Sequence, residues 1–170
     1  MKMKDKLELR MYGLVPYNIS PIQQGIQFGH SKDEMTLAVI EKMMAGGKVD
    51  ELFYDWLKNW KTYIILNGGT TNKQPNIVTG EPYGTLNQHL LQLTRYGIYK
   101  SSFTEIDLGD QLTAITFIVD ERVWDTEKYP EFRTIMEEKF GGEDGLQTEI
   151  RRILRVAPTS TKPTIESMFS

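Results

Sequence analysis

The chain has 170 residues, 39% of them hydrophobic and 25% charged, with two histidines and no cysteine. This length is typical of one domain with an appendage and excludes two large domains. The lack of cysteine excludes disulfides, thiolate metal sites and a cysteine nucleophile. Twenty basic residues stand against 23 acidic ones, and a net charge of -3 is unusual for a protein that binds a long polyanion.

No segment approaches the roughly 20 consecutive apolar residues of a membrane-spanning helix, and the first residues lead into an alternating pattern rather than an apolar leader. We therefore expect a cytoplasmic protein without a membrane partner. The residue types give no reason to expect a cofactor or a bound metal ion.

The first half of the chain alternates between strand and helix patterns. Apolar and polar side chains alternate over residues 7–16, which predicts a strand. Ser20, directly before a proline, predicts a helix that stops at Gly46. A short amphipathic helix over residues 50–60 is followed by an apolar run, residues 61–66, which predicts a central strand covered on both faces.

The second half begins with a long polar segment, residues 67–83, whose glycines, prolines and asparagines predict a functional loop. Residues 86–96 follow a capping box and predict a helix that ends at a glycine. Residues 99–107 and 112–119 predict an antiparallel hairpin. The order β-α-β-α-β-β predicts an α/β fold, a small mixed four-stranded sheet flanked by helices, whose first crossover is parallel and right-handed.

The last 50 residues have a helical character. We predict an α/β domain over residues 1–120, and a C-terminal helical extension and tail over residues 121–170 that pack on the same domain. Two sets of apolar residues in the extension follow helical spacing: Phe132, Ile135, Met136 and Phe140, then Leu146, Ile150, Ile153 and Leu154.

The predicted first helix holds the densest group of chemistry-bearing residues. Gln23, Gln27 and His30 lie at i, i+4 and i+7, so three hydrogen-bonding side chains form one stripe. Gly25 and Gly29 remove side chains from another stripe, at a helical cost of roughly 1 kcal/mol each. This pattern fits close packing of the helix on the sheet with a solvated polar face, and it also fits a binding site.

The same stretch resembles the helix-one signature of the archaeal and eukaryotic type of peptidyl-tRNA hydrolase, a lysine followed by small residues, Gln, two spacers and His-Ala. The resemblance covers roughly residues 7–120, and a weaker one links the chain to uncharacterised proteins of tailed bacteriophages. The matching residues are Gln27-x-x-His30-Ser31, Trp56 ahead of the strand Thr62 to Leu66, Gly97-Ile98 after the second helix, and Asp107-Leu108-Gly109 before the last strand.

This resemblance implies hydrolysis of the ester that joins a peptide to the 3′ end of tRNA, with Asp107 and His30 among the catalytic residues. The departures weaken that expectation. The family's lysine falls at Gln23, and its arginine and threonine fall at Asp110 and Gln111, so three expected polar or cationic groups are changed. Asp107 fits a general base, and it equally fits a turn residue. His30 fits a proton shuttle, and it also fits a structural histidine.

A polar glycine-rich stretch follows the predicted central strand, where open α/β sheets often bind ligands. Its backbone donors and short polar side chains suit phosphate or ribose hydroxyls, although a plain flexible turn has the same composition. The residues concerned are Asn67, Gly68, Gly69 and Thr70.

Three hypotheses of function follow. The first is a nucleotide-binding protein on a degenerate peptidyl-tRNA-hydrolase-like fold, a viral protein that sequesters a nucleotide signal in the host cytoplasm. The second is an active hydrolase of peptidyl-tRNA or a related nucleotide ester, with the tRNA 3′ end as its partner. The third is a non-catalytic scaffold for protein interactions. A homo-oligomer is compatible with all three.

Overall fold

The computed structural model describes residues 6–95, 97–125 and 127–129, so the predicted helices beyond residue 130 lie outside the described residues. Four strands and four helices are described, together with a π-helical turn (Trp56–Trp60) and a 3-10 turn (Ile106–Leu108). The strands are β1 (Leu9–Pro16), β2 (Tyr63–Gly69), β3 (Lys100–Glu105) and β4 (Gln111–Asp120). The helices are α1 (Pro21–Met44), α2 (Glu51–Asp55), α3 (Thr85–Arg95) and α4 (Glu121–Trp124).

The four strands form one mixed sheet in the order β2-β1-β4-β3. The first strand pairs parallel with β2 and antiparallel with β4, and β3 pairs antiparallel with β4. The predicted α/β fold, the parallel first crossover and the antiparallel hairpin are therefore confirmed. The prediction that residues 61–66 form a central strand is wrong. β2 is an edge strand, and its first residue, Tyr63, is exposed.

Helices on both faces of the sheet enclose two hydrophobic cores, and each large apolar side chain that is fully buried contributes roughly 1.5–3 kcal/mol. The face under α1 and α2 buries Leu9, Met11, Val15, Phe28, Met35, Val39, Phe53, Trp56, Ala114 and Ile118. The face under α3 and α4 buries Tyr12, Leu14, Leu86, Leu93, Ile98, Leu112, Ile115, Phe117, Val119 and Val123.

Glycines in α1 do not explain how closely this helix packs. A Cβ atom built on Gly25 or Gly29 meets no heavy atom within 4 Å, so the expectation that these glycines permit close helix-sheet packing is wrong. The close approach occurs instead at Gly13 of β1, where an added Cβ would overlap the ring of Phe28. The strand, not the helix, supplies the glycine that brings α1 onto the sheet.

Local signals set the helix ends. The Ser20 side chain accepts a hydrogen bond from the backbone N–H of Gln23 at 3.2 Å, as expected of an N-cap. Gly97 ends α3 with a φ of 64°, a left-handed conformation that favours glycine. Thr85 is the first residue of α3 rather than its cap, and its hydroxyl accepts from the N–H of Thr70 at 2.9 Å.

At one end of the sheet, β1, β2 and β3 finish and β4 begins. Pro16 pairs with Gly69, so β1 and β2 end together, and Glu105 at the end of β3 pairs with Gln111 at the start of β4. Because β4 runs antiparallel to β1, the start of β4 lies at the same edge as the end of β1. We call this end of the sheet the site edge. It is defined by Pro16, Gly69, Glu105, Gln111 and the first turn of α1.

Candidate functional site

A buried carboxamide links α1 to the sheet beside the site edge. Gln27 is 8% exposed. Its Nε2 donates to Oε2 of Glu105 at 3.0 Å, and its Oε1 accepts from the hydroxyl of Thr113 at 2.5 Å. Because both ends of the carboxamide are bonded, the orientation of Gln27 is fixed, and the helix is tied to both β3 and β4.

An irregularity in the β3-β4 ladder makes this contact. Phe103 pairs with Ala114 and Thr104 pairs with Leu112, so Thr113 is the extra residue of a β-bulge. The flanking Leu112 packs in the core under α3, whereas Ala114 packs in the core under α1. A bulge interrupts the ladder locally and shifts the alternation of side chains between the two faces of the sheet. It turns the hydroxyl of Thr113 toward Gln27.

A second polar pair continues this line of contact along α1. The hydroxyls of Ser31 and Thr116 lie 3.1 Å apart, and both residues are buried. Ser31 is one helical turn beyond Gln27, so two hydrogen-bonded pairs cross the interface between α1 and β4. Buried polar groups are tolerated only when they are paired, and here each has its partner.

His30 lies on α1 away from the site edge. Its side chain is exposed, and its ring lies tilted against that of Phe103, with 4.7 Å between centroids and 32° between planes. Phe103 is two residues before the end of β3, so His30 faces the middle of the edge strand. Among the described residues, its contact is therefore with an aromatic ring and not with a carboxylate.

Asp107 and Asp110 lie in the turn between β3 and β4, and both are exposed. Asp107 belongs to the 3-10 turn, which Gly109 ends with a φ of 70°. Asp110 has a φ of 58°, a conformation in which aspartate is commoner than most residues. Lys73 donates from Nζ to the backbone carbonyl of Asp110, so a lysine of the loop reaches this turn.

The loop that follows β2 contacts both α3 and β4. Asn67 accepts from the N–H of Gly69 at 2.8 Å through its side chain, and Gly69 has a φ of 90°. The hydroxyl of Thr71 lies 3.3 Å from Oδ1 of Asn87 on α3 and 3.4 Å from Oε1 of Gln111 on β4. These contacts hold the first residues of the loop along the site edge.

The predicted site residues fall into three groups. The structure places Gln27, Thr70, Asp110 and Gln111 along the site edge, where each makes contacts described above. Asn67, Gly68 and Gly69 belong to β2, although the sequence predicted a loop from residue 67. Gln23, His30 and Asp107 are exposed, and among the described residues no hydrogen bond or ion pair joins any two of them.

Three residues of the site edge escaped the sequence analysis: Lys73, Glu105 and Thr113. Lys73 is an isolated cation in a polar loop, and Glu105 fits the alternation of a surface strand. Thr113 lies inside an apolar run, where the sequence shows no sign of a bulge. The spacing of Gln27 along α1 was the available signal, since a glutamine on the sheet-facing side of a helix needs polar partners.

The best-formed surface grooves lie mostly away from the predicted site residues. One, of about 380 Å³, lies between the loop and α3 and includes Lys73, Pro82, Asn87 and Leu90. The other, of about 430 Å³, is lined by residues around α2 and includes Lys6 and Asp55. Neither groove is lined by Gln23, His30 or Asp107.

Within residues 6–129, as far as they are described, no three histidine or acidic side chains come together in a way that would hold a metal ion. No helix in the same part of the chain has the length and apolar character needed to span a membrane. Comparison with protein-family models, with curated proteins and with solved structures finds no match. The resemblance to peptidyl-tRNA hydrolases therefore stays a prediction.

Proposed function

We propose that this protein binds a small nucleotide at the site edge and holds it without hydrolysing it. The observation that carries the proposal is the group of uncharged hydrogen-bonding side chains assembled there. Gln111 lies beside Thr71 of the loop, and Gln23 is exposed in the first turn of α1. Gln27 is buried and bonded at both ends, so it holds α1 in place beside these groups. Carboxamides and hydroxyls suit the donor and acceptor edges of a base and the hydroxyls of a ribose.

The same edge offers partners for a phosphate. The first turn of α1 holds no acidic residue, and its N-terminus points the positive end of a 24-residue helix toward the site edge. Gln23 lies exposed in that turn. Lys73 adds a cation on the loop side. A base on the amides and a phosphate near the helix end would use both kinds of group.

The electrostatics favour a small ligand over tRNA. The six-residue stretch 105–110 at the site edge contains three carboxylates, those of Glu105, Asp107 and Asp110. The whole chain carries a net charge of -3. A long polyanion gains affinity from many cationic contacts. Among the described residues of the site edge, Lys73 is a single cation against three carboxylates. This ratio is compatible with one or two phosphates and unfavourable for a polynucleotide.

Binding is favoured over hydrolysis because the residues that the resemblance to peptidyl-tRNA hydrolases assigns to catalysis are either replaced or not in contact with one another. The family's lysine is replaced by Gln23 and its arginine by Asp110. His30 contacts the ring of Phe103, and no hydrogen bond or ion pair joins it to Asp107. Stabilising a developing oxyanion needs preorganised donors or cations, and these substitutions remove two of them. In a phage-infected cell, such a protein would lower the free concentration of a nucleotide signal in the host cytoplasm.

The experiment separates retention from turnover. Purified protein is incubated with a panel of cyclic mono- and dinucleotides and, separately, with peptidyl-tRNA. Melting is measured, the protein is denatured by heat, and the released compounds are identified by mass spectrometry. Saturation at 100 times Kd stabilises the fold by about 2.7 kcal/mol, which raises the Tm by about 5–10 °C for a chain of this size. The account predicts this rise with recovery of the intact nucleotide.

Two matched variants locate the site. Gln23→Ala removes an exposed glutamine of α1 at the site edge, and Gln92→Ala removes a glutamine of α3 on the other face of the sheet. Losing one ligand hydrogen bond costs about 0.5–1.5 kcal/mol. Gln23→Ala should therefore weaken binding several-fold, and Gln92→Ala should leave it unchanged. Turnover that Asp107→Ala abolishes would favour the hydrolase, and no Tm rise with any nucleotide would favour the scaffold.

A further inference from the structure

The outward face of α1 carries an apolar stripe that no described residue covers. The residues of the stripe are spaced by three, four or seven positions, so they lie on one side of the helix. That side is opposite the buried residues Gln27, Ser31 and Met35. The exposed apolar members are Ile22, Ile26, Leu37, Ile40 and Met44.

Exposure along this stripe is high for such large side chains. Leu37 and Ile40 are each 47% exposed, and Met44 is 83% exposed. Single exposed apolar residues need no explanation, but a contiguous patch marks a contact surface. The helix α1 is also longer than β1, the strand that precedes it. A 24-residue helix is about 36 Å long, whereas the eight residues of β1 span about 26 Å.

Few charges interrupt the stripe. Asp33 is the one charged residue within it, and Glu34 and Glu41 lie along one flank, two helical turns apart. The ion pair between Lys32 and Asp33, at 3.5 Å, is weak because the Asp33 side chain is 74% exposed. A helix that buried this stripe would be favoured if it presented a continuous apolar face.

A second copy of the chain fits this stripe poorly. The stripe runs from Ile22 to Met44, and Asp33 is its midpoint. Two α1 helices paired along it, whether parallel or antiparallel, would bring their two Asp33 carboxylates together. Like charges in direct contact are unfavourable. The pattern therefore disfavours self-association through this face.

The chain itself contains a segment with a matching apolar face. Residues 144–157, which lie outside the described residues, hold Leu146, Ile150, Ile153 and Leu154 at helical spacing. The three arginines of the segment fall on the opposite side of such a helix. We propose that residues 144–157 pack as a helix on the outward face of α1 through these apolar side chains, with the arginines facing solvent.

The connection allows this placement. Glu121 donates its N–H to the carbonyl of Glu8 at 2.9 Å, so the described chain ends near the start of β1, at the edge opposite the site edge. Because α1 starts at the site edge and runs antiparallel to β1, its C-terminal half lies toward that same opposite end of the sheet. Residues 130–143 span at most about 50 Å when extended. A covalently linked segment also acts at a high effective concentration.

The absence of cysteine makes a direct test clean. The full chain is prepared with Leu37→Cys and Ile153→Cys, and a control chain with Ile77→Cys and Ile153→Cys. Ile77 is 97% exposed and lies on the loop between β2 and α3. Under mild oxidation at low protein concentration, the first pair should form a monomeric disulfide about tenfold faster than the control pair.

A variant of the stripe adds a second readout in the same chain. Ile40→Asp should slow formation of the Leu37-Ile153 cross-link about two- to fivefold, because packing of the segment would bury the new carboxylate without a partner. Ile106→Asp makes the same change in the turn between β3 and β4, where Ile106 is 78% exposed, and should leave the rate unchanged. Equal rates for the two cysteine pairs, or disulfide-linked dimers in place of the monomeric product, would overturn the proposal. Among the described residues, all substitutions lie at exposed positions, and circular dichroism confirms that each variant folds.

Discussion

Replacing Thr113 with valine removes one hydrogen-bond donor from the contact between α1 and β4 and leaves the volume of the side chain nearly unchanged. The hydroxyl of Thr113 lies 2.5 Å from Oε1 of Gln27, in a buried environment. Without it, that carbonyl oxygen loses its partner. A buried acceptor left without a hydrogen bond costs about 1–3 kcal/mol, so Thr113→Val should lower the Tm by about 2–12 °C for a chain of this size.

The assay is thermal unfolding followed by circular dichroism, with Thr94→Val as the matched control. Thr94 is exposed on α3 and donates to the carbonyl of Leu90 at 2.8 Å, so its replacement should change the free energy of unfolding by less than about 0.5 kcal/mol. In a Gln27→Met background, Thr113→Val should cost less, because both partners of the bond are then gone. An equal loss for Thr113→Val and Thr94→Val would refute the buried network.

Three further expectations follow from the fold. Gly13→Ala should destabilise the protein by about 1–3 kcal/mol, because the new Cβ overlaps Phe28. Gly25→Ala should stabilise it by about 0.5–1 kcal/mol in the same unfolding assay, since its Cβ meets open space in a helix; a loss would mean that something packs there. Burial, with a smaller effect of Asp50, raises the pKa of Tyr99 from 10.0 to about 12. The unfolded chain then loses this proton first, so stability should fall from about pH 10 to about pH 12, and Tyr99→Phe should lack this part of the decrease in a pH series of melting curves.

The sequence predicted the elements well because their signals are local. The cap at Ser20, the stop at Gly97 and the alternation along β1 each depend on residues close in the chain. Strand order depends on contacts between distant residues. The apolar run of β2 is equally compatible with a central and an edge strand, since α3 and the π-helical turn cover part of an edge strand. Its edge position therefore could not be derived from composition.

The candidate site was predicted only in part, because its contacts join residues that are distant in the chain. The spacing of Gln27 on α1 marked it as a site residue, and the structure gives it two partners. Those partners come from β3 and β4, and one of them depends on the bulge at Thr113. Bulges leave no strong sequence signal when the bulged strand is apolar. The contact of His30 with Phe103 in place of a carboxylate likewise follows from the sheet register and not from helix spacing.

The most direct test of the proposed function is hydrogen-deuterium exchange of the full chain with and without the nucleotide of the panel that raises the Tm most. The account predicts protection of backbone amides in residues 69–73, in residues 106–111 and in the first turn of α1. It predicts unchanged exchange around the groove that includes Lys6 and Asp55. Protection confined to that groove, or no protection with any nucleotide, would contradict binding at the site edge.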